Sequence, residues 1–295
     1  MTTIGTFIKN HPVPSYFALV FAISWGGILL VIGGPGAIPG TKDQIETLMP
    51  FALLALFAGP SVAGLLLTGL VHGRAGFRDL IARMTRWRVG IRWYAVALLA
   101  APLLVMTVLL ALSLTSPEFL PRLLTAHDRA TLLLFGIGAG LVGGGLLEEL
   151  GWTGFVVPTL RQRYGVLGTG LIVGLLWGAW HYLIAFWTIS GTTPGAISPS
   201  IFLPALIFYV GSLPAYRVLL VWVYDRTGES MLLVMLMHAS LSASMLTLEP
   251  LGLAAMPGSV WALVLAAAWW AVVGAVAVAN HGHLTRQPPL RRRVA

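Results

Sequence analysis

The sequence contains no cysteine. That excludes disulfides, thiolate metal ligands, a cysteine nucleophile and S-acylation. Charge is scarce as well. Asp, Glu, Lys and Arg make up 9% of the 295 residues, against about 25% in a typical soluble domain. Acidic residues are scarcest, 10 against 18 basic ones, for a net charge of +8. Neither G-x-x-x-x-G-K-[ST] nor H-E-x-x-H occurs, so the standard phosphate-loop and zinc-helix signatures are missing. What fills the space is apolar. Hydrophobic residues account for 57% of the chain, and the mean hydropathy is +0.86. One soluble core cannot absorb so much apolar surface, so the bilayer is the expected solvent. The first apolar stretch begins near Val13, is too long for a signal-peptide core and lacks a small-residue cleavage site.

A lipid-spanning helix needs roughly 20 mostly apolar residues, and helices are required because lipid cannot satisfy free backbone groups. The sequence predicts eight spans, at about 14–34, 50–71, 93–115, 130–150, 168–189, 201–223, 230–248 and 258–280. The fourth is expected to continue as a helix towards Arg163. The expected fold is therefore an all-α integral membrane protein. Residues 1–284 form one polytopic domain, and 285–295 form a basic tail. Basic residues gather beside the spans, which points to topology and anionic lipid rather than nucleic acid. Arg74, Arg78, Arg83, Arg86, Arg88 and Arg92 lie between spans two and three. Together with Lys9, Arg161, Arg163, Arg226 and the tail arginines they set both termini and this segment in the cytoplasm of a cell-membrane protein. Within 74–92, Phe77, Leu80, Ile81 and Met84 stand at helical spacing among arginines, which predicts an interfacial amphipathic helix binding anionic lipid.

Ionisable residues inside spans are costly and mark function. The fourth span carries Glu148 and Glu149, the fifth His181, the sixth Arg217, and the seventh His238 with Ser240, Ser242 and Ser244. Counting 1.5 Å per residue from the basic ends puts Glu148, His181 and His238 roughly 22, 20 and 15 Å deep. Three helices thus offer a carboxylate and two imidazoles at a shared level. That donor set suits a divalent metal such as zinc, with Glu148, His181 and His238 as ligands. A glutamate there suits the role of base towards a water. Glu148 is the expected base and Glu149 its support, since helix neighbours point about 100° apart and cannot share one face. Arg217 is expected to snorkel towards the interface or to pair with a site carboxylate. The glycines 136, 138, 140 and 143–145 read as a close-packing face.

These residues resemble the CPBP family of intramembrane metalloproteases, also called CAAX protease/bacteriocin-processing or Abi proteins. The family motif EExxxR, commonly EE-x-x-W-R-G-F, corresponds to Glu148-Glu149-Leu150-Gly151-Trp152-Thr153-Gly154-Phe155. The second motif, FxxxH, corresponds to Trp177-Gly178-Ala179-Trp180-His181. The third, HxxxN or HxxxD, corresponds to His238-Ala239-Ser240-Leu241-Ser242, after Tyr224-Asp225-Arg226-Thr227-Gly228. The resemblance covers most of residues 74–248. It implies an eight-helix core with Glu148 activating a water. His181 and His238 would hold a metal or the oxyanion, with Trp177, Ser242 and Arg217 in support. It implies endopeptidase activity on a hydrophobic or lipid-anchored peptide. Thr153 stands where the family has arginine, and Ser242 where it has Asn or Asp. The alternative function is therefore a catalytically impaired scaffold or immunity-type binding protein.

Overall fold

The structure is a computed structural model that describes residues 3–188, 199–253 and 255–285. Among the described residues there is no strand. Eight helices are long and apolar enough to cross a membrane: α1 (Pro12–Ile32), α2 (Lys42–Met84), α3 (Ile91–Ser113), α4 (Arg129–Arg161), α5 (Val166–Thr188), α6 (Phe202–Arg226), α7 (Met231–Leu248) and α8 (Met256–Ala279). The predicted class and span count therefore hold, and α4 runs past residue 150 as expected.

The predicted amphipathic segment differs. Residues 73–84 do form a helix, set off from the preceding part of α2 by a π-helical turn at Thr68–His72 and by Gly73, whose φ of 59° and ψ of −148° turn the chain; this helix stops at Met84 instead of reaching residue 92. Its arginines also do not all face outwards. Arg83 is buried and donates from Nε to Asp79 (2.8 Å), from Nη1 to Thr153 O and the Tyr224 hydroxyl (3.2 Å each), and from Nη2 to Gly154 O (2.9 Å). Four acceptors inside the protein outweigh solvation at the interface for this guanidinium.

The basic ends of the helices meet at one end of the bundle. Arg161 at the end of α4 pairs with Asp225 at the end of α6. Arg226 donates to His283 O, and Ser230 donates to Arg86 O.

α1 packs on α2, α5 on α6, and α7 on both α3 and α4. The α4–α7 contact follows from the glycine face. A Cβ on Gly140 would lie 2.6 Å from Ala239 O, and one on Gly136 would lie 2.3 Å from a Thr247 methyl carbon. Small residues let the two backbones meet where lipid supplies no hydrophobic drive between helices. On the opposite side, Gly151 meets α2, since a Cβ there would lie 2.3 Å from Pro60 O. α4 is thus clamped on both sides where it carries the glutamates.

Candidate active site

α4 is not a uniform α-helix. It is π-helical over Gly140–Glu148 and again over Trp152–Val156, with one α turn, Glu149–Gly151, between. Wide i→i+5 turns recur at functional sites because they re-aim side chains. Both glutamates sit at the junction, and both are buried.

Glu149 is surrounded by donors from three helices. Arg217 of α6 donates from Nη1 to Oε1 (2.8 Å) and Oε2 (3.1 Å). His238 of α7 donates from Nδ1 to Oε1 at 2.6 Å. Thr153, one turn along α4, donates its hydroxyl to Oε2. Glu148 has a different shell. Trp177 and Trp152 donate their indole N–H groups to its Oε2, at 2.6 and 3.2 Å. Its Oε1 lies 4.0 Å from Nε2 of His238. The two glutamates point apart, as helix geometry requires, yet both reach the same imidazole from its two nitrogens.

Arg217 does not snorkel. Its relative exposure is 0%, and its guanidinium lies over the Trp177 ring at 4.4 Å. The carboxylate of Glu149 and the indole face offer it more than the distant interface does. Trp177 where the family motif has phenylalanine is no neutral replacement either, because a phenyl ring has no N–H for Glu148.

His181 borders the cluster without joining its ion pairs. Its Nδ1 bonds Trp177 O at 2.9 Å, and its ring stacks on Tyr209 with centroids 5.1 Å apart. Trp177 stands between the two histidines, with ring centroids 5.8 Å from His181 and 4.9 Å from His238. A carbonyl only accepts, so His181 holds its proton on Nδ1 when neutral. The carboxylate of Glu149 does the same for His238. In their neutral forms both imidazoles therefore present Nε2 as a lone pair.

Ser242 belongs to the same space. A Cβ on Gly144 would lie 2.4 Å from Ser242 Oγ and 2.9 Å from His238 Nε2. Serine oxygen and imidazole nitrogen thus flank one small gap that the missing side chain of Gly144 leaves open. No hydrogen bond joins Ser242 Oγ to another described residue.

The predicted metal set fits this arrangement poorly. The tautomers suit ligation. However, among the described residues no three His, Asp or Glu side chains are gathered around a point where an ion would sit. Of the expected ligands, Glu148 gives its Oε2 to two indole N–H groups, and His181 Nδ1 is taken by the Trp177 carbonyl.

Three contributors are not singled out in the sequence. Gly144 was one glycine among many. Arg83 looked like an interfacial charge. The Trp152 indole was read only as part of a motif. Only the helix register of α4 against α7 gives Gly144 its place.

Residues 129–244 match the family described as Rce1-like, type II CAAX prenyl endopeptidase Rce1-like. CAAX prenyl protease 2 of Methanococcus maripaludis is 25% identical to the chain over 91 residues, covering 31% of this chain and 32% of that protein. The chain thus spans about a third of that curated relative's length. The family match runs from the start of α4 into α7 and contains Glu148, Glu149, His181, Arg217, His238 and Ser242. The chain is thus similar to the CAAX protease family over the segment that carries the candidate site.

Proposed function

We propose that the chain is an intramembrane endopeptidase of CAAX type that cleaves a hydrophobic or membrane-anchored peptide with a water activated by Glu148. The observation that carries this reading is the 4.0 Å gap between Glu148 Oε1 and His238 Nε2, a span that one bridging water closes. Such a water donates one hydrogen to each acceptor and keeps a lone pair for a peptide carbonyl carbon. Glu148 takes the proton as the water oxygen adds, and the carbonyl oxygen becomes an oxyanion. The Ser242 hydroxyl, which makes no hydrogen bond to the described residues, donates to that oxyanion. Glu148 then passes the proton to the leaving amine nitrogen as the C–N bond breaks. The products are a carboxylic acid and an amine, and the balance is one water. Trp152 and Trp177 hold Oε2 so that Oε1 alone faces the reacting atoms.

The test uses purified protein in detergent with a farnesylated fluorogenic peptide. Glu148→Gln, which keeps size and hydrogen bonding, is expected to lower the cleavage rate by roughly 10²–10⁴-fold. Cleavage at the parent rate would sink the proposal. Metal analysis of active protein serves as a companion measurement, because stoichiometric metal would redirect the mechanism.

The same reading sets the basic ends of α2, α4 and α6 in the cytoplasm, following the arginine bias. A chain without cysteine makes this easy to check. Single cysteines introduced at Arg74 and at Lys42 are expected to react with an impermeant maleimide from opposite sides of the membrane. Labelling of both from one side would overturn the topology.

A further inference from the structure

Resting on the reading above, we infer that Arg217 carries the positive charge which the family motif places at the position of Thr153. Thr153 and Arg217 are then an exchangeable pair of positioning residues acting on His238 through Glu149.

Acceptor capacity is the first argument. A carboxylate offers about four lone-pair sites. On Glu149 they are met by two contacts from Arg217, one from His238 and one from the Thr153 hydroxyl. Thr153 is itself buried. An arginine there would gain only the one site that the hydroxyl gives up, and would set a second guanidinium against a single buried carboxylate, inside a membrane protein where an uncompensated charge is expensive. Arg217 and an arginine at 153 therefore exclude each other. A short hydroxyl is what position 153 can hold while Arg217 is present.

The second argument comes from what Arg217 leaves unmade. Its Nε and Nη2 are buried with no partner among the described residues. Two unsatisfied donors are costly, and nothing else in the shell rewards them except Glu149 and the Trp177 face. The guanidinium is placed for Glu149 rather than for a complete shell of its own.

The third argument is reach. An arginine at 153 would approach from α4, the helix of the glutamates. Arg217 approaches from α6 across Trp177 of α5. The charge that fixes Glu149, and through it the Nδ1–H form of His238, is thus supplied by a different helix. The position of α6 becomes part of the active-site geometry.

The experiment compares Thr153→Arg, Arg217→Met and the double variant in the full-length protein in detergent. Melting temperature and the ¹⁵N shifts of the His238 ring are measured for each. Each single variant is expected to melt about 10 °C below the parent. The double variant is expected to recover most of that loss and to restore the Nδ1–H tautomer that Arg217→Met disturbs. A double variant melting at or below the weaker single would overturn the exchange. An unchanged His238 tautomer in Arg217→Met would overturn the positioning role. If Arg217→Met does not accumulate, Arg217→Lys replaces it. Lysine keeps the charge and is expected to retain the tautomer, and its loss there would also count against the inference. Neither readout depends on cleavage. If Glu148→Gln cleaved normally, the functional reading would fail while these results still decided the exchange.

Discussion

Glu149 is fully buried and Glu249 half-buried, and the protein keeps them in different ways. Glu149 meets Arg217, His238 and Thr153 from three helices. Glu249, just beyond α7, accepts one hydrogen bond among the described residues, from Trp261 Nε1 at 3.2 Å. It lines a cavity of about 380 Å³ with Phe208, Tyr209 and Met245. Burial pushes its carboxyl up to about 7, against the opposing effect of the indole hydrogen bond. One glutamate is supplied with partners for the charge it holds. The other is left with the option of a proton. In a chain so poor in charge, two ionisable partners around Glu149 mark where charge is put to use.

The largest effect should come from breaking the better-supplied site. Glu149→Ala strands a fully buried guanidinium, and removing one partner of such a pair costs about 3–5 kcal/mol. Thermal unfolding in detergent should show it, and a variant of parental stability would mean that the Arg217 contact is incidental. Gly144→Ala comes next. Its methyl would press on Ser242 Oγ and His238 Nε2, so cleavage should fall about 10²-fold with a small change in melting. Parental rates would remove Ser242 from the reacting space. Glu249→Gln probes the other half of the comparison. The folded carboxyl is raised from 4.5 to about 7, so the native state holds the proton more tightly than the unfolded chain. That stabilisation is full below the unfolded value and is lost as pH rises to about 7. The parent should therefore lose melting temperature across this window, and Glu249→Gln should flatten the slope. Identical slopes would show that Glu249 is not proton-linked. Smallest is Thr41→Ala, which removes the capping box with Gln44 at the start of α2 and should cost about 1 kcal/mol.

The fold was legible because lipid leaves a chain few choices. Twenty apolar residues in a row have to be helix, so the eight spans and the continuation of α4 follow from composition and length. The motif residues were legible because charges inside spans are rare. Direction was not. Arg83 and Arg217 are both arginines near a basic end; the first is expected to reach outwards, the second either to do so or to pair with a site carboxylate, and it pairs with Glu149. The sequence does not show that the Thr153 and Gly154 carbonyls await the first, or Glu149 the second, because those contacts join positions about 70 residues apart. The π-helical stretches were illegible for a related reason. They are set by how α4 is clamped between α2 and α7 rather than by propensity. The segment after Met84 fails as a predicted helix although Trp87 and Ile91 keep the apolar spacing, and it contains the poor helix formers Thr85, Val89 and Gly90. The departure at Thr153, which suggested an impaired enzyme, loses force once Arg217 is seen against Glu149.

Trp177 touches every ionisable member of the cluster except Glu149. Its indole N–H holds Glu148, its face carries Arg217, its edge meets His238 and its carbonyl fixes His181. Helices that enter a membrane one by one find their neighbours afterwards. Until α5 takes its place, Glu148 lacks its shorter N–H contact and Arg217 lacks its aromatic cover. Biogenesis thus acquires a checkpoint. A half-assembled bundle exposes naked charge to lipid, and the docking of one tryptophan ends that vulnerable stage.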